Sequence, residues 1–448
     1  MHELKMEMPT PVLRAIERLE NAGYRAYAVG GCVRDTLLLR TPNDWDVTTS
    51  ARPEQTAACF ADCRTIETGI RHGTLTVILD GMPLEITTFR NDGEYADNRH
   101  PVSVTFSAKV EDDLSRRDFT VNAMAYHPQK GFVDLFGGRE DLQNRIIRAV
   151  GDAKTRFEED GLRILRAIRF ASVLDFDIAE DTAKAVHACK NLLSGIAAER
   201  IREELCKLIC GRGAVRILRE YIDVISVFLP ELVRCVGFEQ NTKYHCYDVF
   251  EHTLQALALC EDCDLVTRLG ILLHDIGKPL CYTEDEQGGH FKGHAPVGVE
   301  ITKEVLSRLR FDNETIRRME LLVEWHDIPL SAEKKRVKRL LQKLSDEDIL
   351  RLLEIKRCDR LAHAPDFREM PPDLALIPSV MEEIRAEDAC LSLRTLAIGG
   401  DDLMALGVPK GKQIGELLHA LLDDVIEESL PNEKEALLQA AKERIKKA

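Results

Sequence analysis

The feature that most constrains this chain is a change of rhythm near residue 150. Before that point helix and strand signals alternate; from Phe157 onward helix follows helix. In the first part, Pro11 to Ala22 carries apolar residues at Val12, Ala15, Ile16 and Leu19, the period of an amphipathic helix. Tyr24 to Val29 is a short β-prone run ending in Gly30-Gly31. Leu75–Leu79 and Leu84–Phe89 are β-rich and flank Asp80-Gly81, a hairpin-turn pair. In the second part, breaks fall near Gly211, Gly237, Gly288-Gly289, Pro365 and Pro371-Pro372. The expectation is an α+β head followed by an all-α body, without repeats. At roughly 150 residues per domain the length suits about three domains. We place segments at 1–150 (head), 151–215 (helical neck), 216–375 (helical body) and 376–448 (helical tail).

Charge narrows the function classes. Lys+Arg 61 against Asp+Glu 76 gives 61 − 76 = −15, which excludes a generic polycation but leaves room for a local basic patch. Only 6% of residues are aromatic, so an extended base-stacking surface is not expected. No window of about 18 apolar residues occurs, and the start lacks a basic-then-apolar leader, so we expect a cytoplasmic protein off the membrane. The 13 cysteines are scattered. Cys260-x-x-Cys263 has no matching second pair, and reduced thiols are the expectation.

Chemistry concentrates first around Gly30-Gly31-Cys32-Val33-Arg34-Asp35 and Asp44-Trp45-Asp46. Asp44 and Asp46, two apart in a β-prone segment, project from one face. Adjacent anions are costly unless a cation lies between them, and hard oxygen ligands favour Mg²⁺. A glycine turn at Gly31 lets backbone N–H groups approach a triphosphate, and Arg34 adds positive charge. Glu85, on the later strand, could complete the carboxylate set.

These residues resemble the signature of the class II tRNA nucleotidyltransferases and bacterial poly(A) polymerases. Leu84–Arg90 looks like that family's later palm strand and Tyr95–Pro101, with Asp97 and Arg99, like its flexible loop. Asp113-Leu114-Ser115-Arg116-Arg117-Asp118-Phe119-Thr120-Val121-Asn122-Ala123-Met124 matches a long family string. The resemblance implies a polymerase-beta-like nucleotidyltransferase palm.

A second constellation is Phe157-Glu158-Glu159-Asp160-Gly161-Leu162-Arg163-Ile164-Leu165-Arg166-Ala167-Ile168-Arg169-Phe170. Read as one helix, Glu159, Arg163 and Arg166 share a face, with Asp160 on its flank. Intrahelical salt bridges alone would account for an isolated helix. A carboxylate, however, accepts from an exocyclic amino group while Arg donates to the adjacent ring acceptor. Cytosine and adenine both offer that edge; uracil and guanine place a carbonyl there. In the resembled family this motif is the protein template for the base, and by position it maps to Asp160 and Arg163. Arg166, Arg169 and Arg117 would then hold the triphosphate.

A third constellation runs H…HD…H…H…D: His252, His274-Asp275, His294, His326 and Asp359. Mixed N/O donors suit a transition metal and a one- or two-metal hydrolytic centre. The order resembles the HD superfamily and implies a phosphohydrolase or a vestigial fold element; His245 and His290 lie nearby, ligands or not. Finally, Ser331–Arg360 holds ten basic and six acidic residues, 10 − 6 = +4, either a solvated face or a phosphate-tracking surface for tRNA.

The expected activity is addition of C, C and A to a tRNA 3′ end from CTP and ATP, with Mg²⁺ and no nucleic-acid template. Alternatives are a poly(A) polymerase or partial CC- or A-adding enzyme of the same fold, or a nucleotide-binding regulator whose only chemistry is the HD site.

Overall fold

Helix α1 (Thr10–Asn21) buries Val12, Ala15, Ile16 and Leu19, the stripe its apolar period sets out. It leads into β1 (Ala26–Val29), buried at every position, and through a glycine turn into α2 (Gly31–Leu37). There follow β2 (Asp46–Thr49), α3 (Pro53–Cys59), β3 (Arg64–Ile66), β4 (Thr74–Leu79) and β5 (Met82–Thr88), then the ribbon β6 (Arg90–Asp92) and β7 (Val104–Phe106). Helix α4 (Val110–Ser115), β8 (Met124–His127), β9 (Gly131–Asp134) and α5 (Gly138–Asn144) complete the head. The computed structural model describes residues 5–67, 69–70, 73–92, 104–387 and 389–447. The loop at 95–101, including Asp97 and Arg99, lies outside the described residues.

The sheet runs β3-β4-β5-β2-β1-β8-β9. Every neighbouring pair is antiparallel except β2 and β5, which run parallel. Asp80 (φ 51°) and Gly81 (φ 81°) form the two-residue turn between β4 and β5, both in the left-handed region that such a hairpin requires. Tyr27, Val29, Phe89, Val110, Leu114 and Ala125 form a core cluster against one part of the sheet.

The segment 157–170 corrects the expectation of a single helix. Helix α6 (Ala153–Glu159) ends, Asp160 is extended at φ −139°, and α7 (Leu162–Leu174) starts anew. Two local causes act together. The Asp160 carboxylate accepts the Leu162 N–H at 3.0 Å, an interaction that competes with helix continuation. Gly161 packs so closely that a Cβ there would lie 3.1 Å from Leu192 Cβ. Helices α8 (Glu180–Cys189), α9 (Ala198–Ile209), α10 (Ala214–Glu220) and α11 (Ile222–Ile225) follow. Strand signals do not stop at 150 either. Asp177–Ile178 pairs in parallel with Ile146–Ile147, and Thr283–Asp285 pairs with Gly288–His290. Strands of two or three residues are too short to carry a period.

The chain divides into two compact units, Met1–Val233 and Arg234–Ala448, so head and neck segments share the first. The second is helical: α12 (Val249–Ala258), α13 (Leu265–Leu273), α14 (Lys278–Cys281), α15 (His294–Arg308), α16 (Asn313–Trp325), α17 (Lys334–Lys343) and α18 (Asp346–Leu361). Helices α19 (Pro372–Ala386), α20 (Gly400–Ala405), α21 (Lys412–Ile426) and α22 (Lys434–Lys447) end it, the last three closing on Leu403, Leu421, Ile426 and Leu437. Asp248, Asp264, Asp312 and Ser345 cap α12, α13, α16 and α18, each side chain accepting a first-turn N–H. At Gly270 a Cβ would lie 2.5 Å from Ile355 Cδ1, so α13 and α18 approach closely. Cys260 and Cys263 are joined in a disulfide, against the expectation of free thiols at that pair. Among the described residues no helix is long and apolar enough to cross a membrane.

Candidate active sites

Asp46 is the first residue of β2 and stands opposite Glu85 of β5 in the parallel register. In such a pair both side chains leave the same face of the sheet. Asp44 sits in the loop just before β2 and is exposed, while the intervening Trp45 is buried. Burial drives the Asp46 acid up to about 6; Arg117 opposes that rise, and Glu85 and Asp44 add to it. A cluster of three carboxylates with one cation beside it is short of positive charge, and its donors are hard oxygens. That donor set fits a hard dication such as Mg²⁺.

Gly30 (φ 81°) supplies the turn and makes room for Arg117: a Cβ there would lie 2.8 Å from Arg117 Nη1. Arg117 pairs with Asp113 at 3.2 Å, and its buried Nε has no hydrogen-bond partner. Gly31 opens α2. Arg34 is engaged by Asp35 (2.8 Å) and donates to Asn122 Oδ1 at 2.6 Å.

Around the neck, the structure brings Arg34, Arg166 and Arg169 to the ring of Phe170, with guanidinium carbons 5.1, 5.3 and 3.5 Å from its centroid. Arg166 donates twice to Asp118 Oδ2 (2.8 and 2.5 Å), and Arg169 donates to Glu204 at 2.7 Å. Although burial works against it, Arg166 holds the Asp118 carboxyl down at about 2. Arg163 donates to Glu159 at 2.5 Å and to the carbonyls of Arg156 and Arg116. The intrahelical ion pair expected as the simpler reading therefore exists, now bridging two helices. Asp160 and Arg163 meet only through backbone, Arg163 N–H to Asp160 O at 2.9 Å, and the Asp160 carboxylate faces Arg200 at 3.4 Å. Asp118, Glu204 and Phe170 were not singled out from sequence; Asp118 and Glu204 meet their arginines 48 and 35 residues away.

In the second unit His252, His274, Asp275 and Asp359 form one cluster, and Asp275, His294 and His326 another, each with ligand atoms within 4.8 Å. Asp275 belongs to both. Its Oδ2 lies 3.1 Å from His274 Nε2 and 3.7 Å from His252 Nε2; its Oδ1 lies 3.5 Å from His294 and 3.7 Å from His326. Asp359 Oδ1 is 2.9 Å from His252 Nε2. The Nδ1 atoms of His274, His294 and His326 meet the carbonyls of Ile271, Phe291 and Val323, leaving Nε2 of each turned to the centre. His274 Nε2 and Asp275 Oδ2 are buried without hydrogen bonds of good geometry. Burial would lower His274, yet Asp275 and Asp359 hold it up at about 10. A positive charge there balances the buried Asp275 and half-buried Asp359 carboxylates, a task a metal dication performs equally, so the donor set fits one.

A cavity of about 720 Å³ opens beside this centre, lined by Asp275, His294, His326 and Asp359, and also by His245, Lys278, Arg360 and His363. Lys278 Nζ approaches Asp275 Oδ2 at 2.7 Å and donates to Gln240. His363 and Lys278 were missed in sequence because nothing local marks them; Lys278 follows His274-Asp275 by three residues, the one available signal. His290 instead pairs with Asp285.

The basic segment 331–360 is largely neutralised within its own unit. Lys334 pairs with Glu387, Lys335 and Arg336 with Glu333, Lys338 with Glu428, Arg339 with Glu427, and Arg351 with Asp264. Four of those carboxylates, Glu387, Glu428, Glu427 and Asp264, lie outside the segment and offset its sequence excess of +4.

Family models match in three places: a poly(A) polymerase head domain over residues 26–148, an RNA- and SrmB-binding site of polymerase A over 175–234, and a tRNA nucleotidyltransferase domain 2 over 299–441. A CCA-adding enzyme of Lactobacillus delbrueckii is 48% identical over 216 residues, 48% of this chain and 54% of the relative, so that match spans about half of each. One from Levilactobacillus brevis is 34% identical over 442 residues, 97% of both chains. This chain belongs to the CCA-adding enzyme family. A solved CCA-adding enzyme from Bacillus stearothermophilus, in complex with CTP, superposes with TM-score 0.72 at 30% identity, covering 98% of this chain and 99% of that one. The family's nucleotidyltransferase head and helical body are therefore the architecture seen here.

Proposed function

We propose that this chain adds C, C and A to the 3′ end of tRNA from CTP and ATP, without a nucleic-acid template, in the cytoplasm. The observation that carries the reading is the carboxylate trio at the head of the parallel β2–β5 pair, with the Asp46 acid pushed up by burial and its anionic neighbours. Asp44 and Asp46 would hold Mg²⁺, with Glu85 beside them. Mg²⁺ bound there supplies Lewis acidity toward an RNA 3′-hydroxyl and neutralises charge on departing pyrophosphate. The chain itself positions the reactants. Arg117, lodged against Gly30, and the arginines around Phe170 face the triphosphate, their directions set by Asp113, Asp118 and Glu204. Asp160 and Arg163 read the base: the carboxylate accepts the amino group of cytosine or adenine, and Arg163 leaves Glu159 to donate to the adjacent ring atom. The four segments 1–150, 151–215, 216–375 and 376–448 serve as palm, base-reading neck, body with the HD centre, and tRNA-binding tail.

The test incubates the purified chain with tRNAs ending before A, CA and CCA, each with single and mixed nucleotides, and sizes the products. Stepwise completion to CCA is expected; Asp46→Ala should lower its rate at least a thousandfold with the fold intact. An open-ended A ladder would instead make this a poly(A) polymerase, and no extension at all would leave only the HD chemistry.

A second reading rests on its own observation, the two ligand clusters that share Asp275. We infer a phosphohydrolase for phosphomonoesters or 2′,3′-cyclic phosphates, its transition-metal centre held by His252, His274, Asp275, His294, His326 and Asp359. Cations there would activate water and polarise the phosphoryl group. Lys278 and Arg360, lining the same cavity, would receive the phosphate. Metal-stimulated release of phosphate from 2′-nucleotides, absent in His274→Ala, is the expected result.

A further inference from the structure

Beside the HD string a further group of imidazoles crowds together. His245, His252 and His363 place ligand nitrogens within 4.8 Å of one another. Ring centroids lie 4.7 Å apart for His245 and His363, 5.0 Å for His245 and His252, and 5.6 Å for His252 and His363. His245 precedes α12 and His363 follows α18, so the helices that bring His252 to Asp359 also close this group.

Hydrogen bonding within the chain accounts for only part of it. His245 Nδ1 meets Thr242 Oγ1 at 2.8 Å, and its Nε2 lies 3.4 Å from Lys278 Nζ. His252 Nε2 meets Asp359 at 2.9 Å. The Nδ1 atoms of His252, whose side chain is fully buried, and of His363, 12% exposed, have no partner. Buried polar nitrogens are ordinarily satisfied, and each exception asks for a reason. Lys278 does not supply it: its ammonium is held by Asp275 and Gln240 and reaches only one of the three rings. A packing role would be met better by apolar side chains.

We propose that His245 and His363, with His252 at their junction with the HD centre, form an additional cation position. Its donors are imidazole nitrogens, His252 giving up its N–H proton to solvent to serve both positions as an imidazolate, and such donors suit zinc, cobalt or nickel dications and discriminate against Mg²⁺. Three imidazoles leave a coordination place open, as in catalytic zinc sites, and His245 and His363 both line the cavity where phosphate esters would bind. The HD pocket then offers three cation positions, the third adding His245 and His363, from outside the H…HD…H…H…D string, to the shared His252. This inference builds on the HD reading through the shared His252, and the experiment separates the two.

The metal-stripped full chain is titrated with Co²⁺, followed by its visible absorption, and bound metal is counted after dialysis, in the presence and absence of millimolar Mg²⁺. In millimolar Mg²⁺, which fills the Asp44–Asp46 site, three Co²⁺ per chain are expected, falling to two in His245→Ala and in His363→Gln; without Mg²⁺ the palm carboxylates add to every count. His363 lies at a helix end, so the glutamine variant keeps the fold, and thermal melts verify it. If wild type binds two and both variants also bind two, the third position is overturned while the HD reading stands. A wild type that binds no Co²⁺ overturns both.

Discussion

The Asp160 carboxylate, proposed to tell the four nucleotides apart, faces Arg200 and the backbone N–H of Leu162 in the free protein. On that proposal Asp160→Ala removes the acceptor for the amino group of cytosine and adenine and the group that repels the carbonyls of uracil and guanine. Loss of one charged hydrogen bond costs roughly 1.5–3 kcal/mol, or about one to two decades in rate for CTP and ATP. Single-turnover incorporation of all four nucleotides should show that loss together with a reduced preference for CTP over UTP; a uniformly small slowing would make Asp160 structural. Asp118 is tested by pH. Its carboxyl lies at about 2 when folded, below its ordinary 3.8, so the stabilisation it gives is fully present above about pH 4 and disappears as pH falls through 2. The shift corresponds to about 2 kcal/mol. Asp118→Asn should therefore melt lower than wild type at pH 7, with the gap closing by pH 2 in urea titrations. At this scale Asp44, Asp46, Asp160 and the HD residues are legible in sequence because their chemistry is local or follows a fixed order. Asp118 and Glu204 are not, since their arginine partners lie 48 and 35 residues away; Phe170, Lys278 and His363 sit within four residues of Arg166, Asp275 and Asp359, a spacing that any helix repeats and that marks no site.

Among the elements, long periodic helices and the Asp80-Gly81 hairpin could be read directly, because burial and turn conformation leave a regular imprint on the residues. The break between α6 and α7 could not: Asp160-Gly161 interrupts an otherwise helical period, and the packing of Gly161 on Leu192 is invisible in one dimension. The approach of α14 to α15 depends on another such glycine. A Cβ at Gly277 would run into the carbonyl oxygen of His294 and lie 2.7 Å from the Gly298 nitrogen, both backbone atoms that cannot rotate away. Gly277→Ala should cost about 1–3 kcal/mol and move His294 off Asp275, weakening metal binding at least tenfold. Gly415→Ala in α21, where nothing lies within 4 Å, is the control and should be neutral or stabilise by up to about 1 kcal/mol. Thermal melts and metal titrations on the two variants decide the matter; equal behaviour would mean that α14 and α15 can separate without harm.

For the whole molecule, the two ligand centres sit in different compact units, residues 1–233 and 234–448. His274→Ala should abolish metal-stimulated phosphate release and leave CCA addition within twofold of wild type, measured on one preparation; a proportional loss of both would show that the centres are linked. The chain's −15 charge and the internally paired segment 331–360 also set an expectation for salt. With few unpaired cations available there, tRNA affinity should fall less steeply with salt than for a protein that tracks phosphates with a long basic face. The parallel β2–β5 contact has a further consequence, in time rather than in space. Hairpins such as β4–β5 close locally, whereas Asp46 and Glu85 meet only when strands 39 residues apart align, and His252 meets Asp359 across 107. Contacts of such separation form late. During refolding, helical signal should therefore return well before either activity, so that catalysis marks the last stage of each unit's assembly.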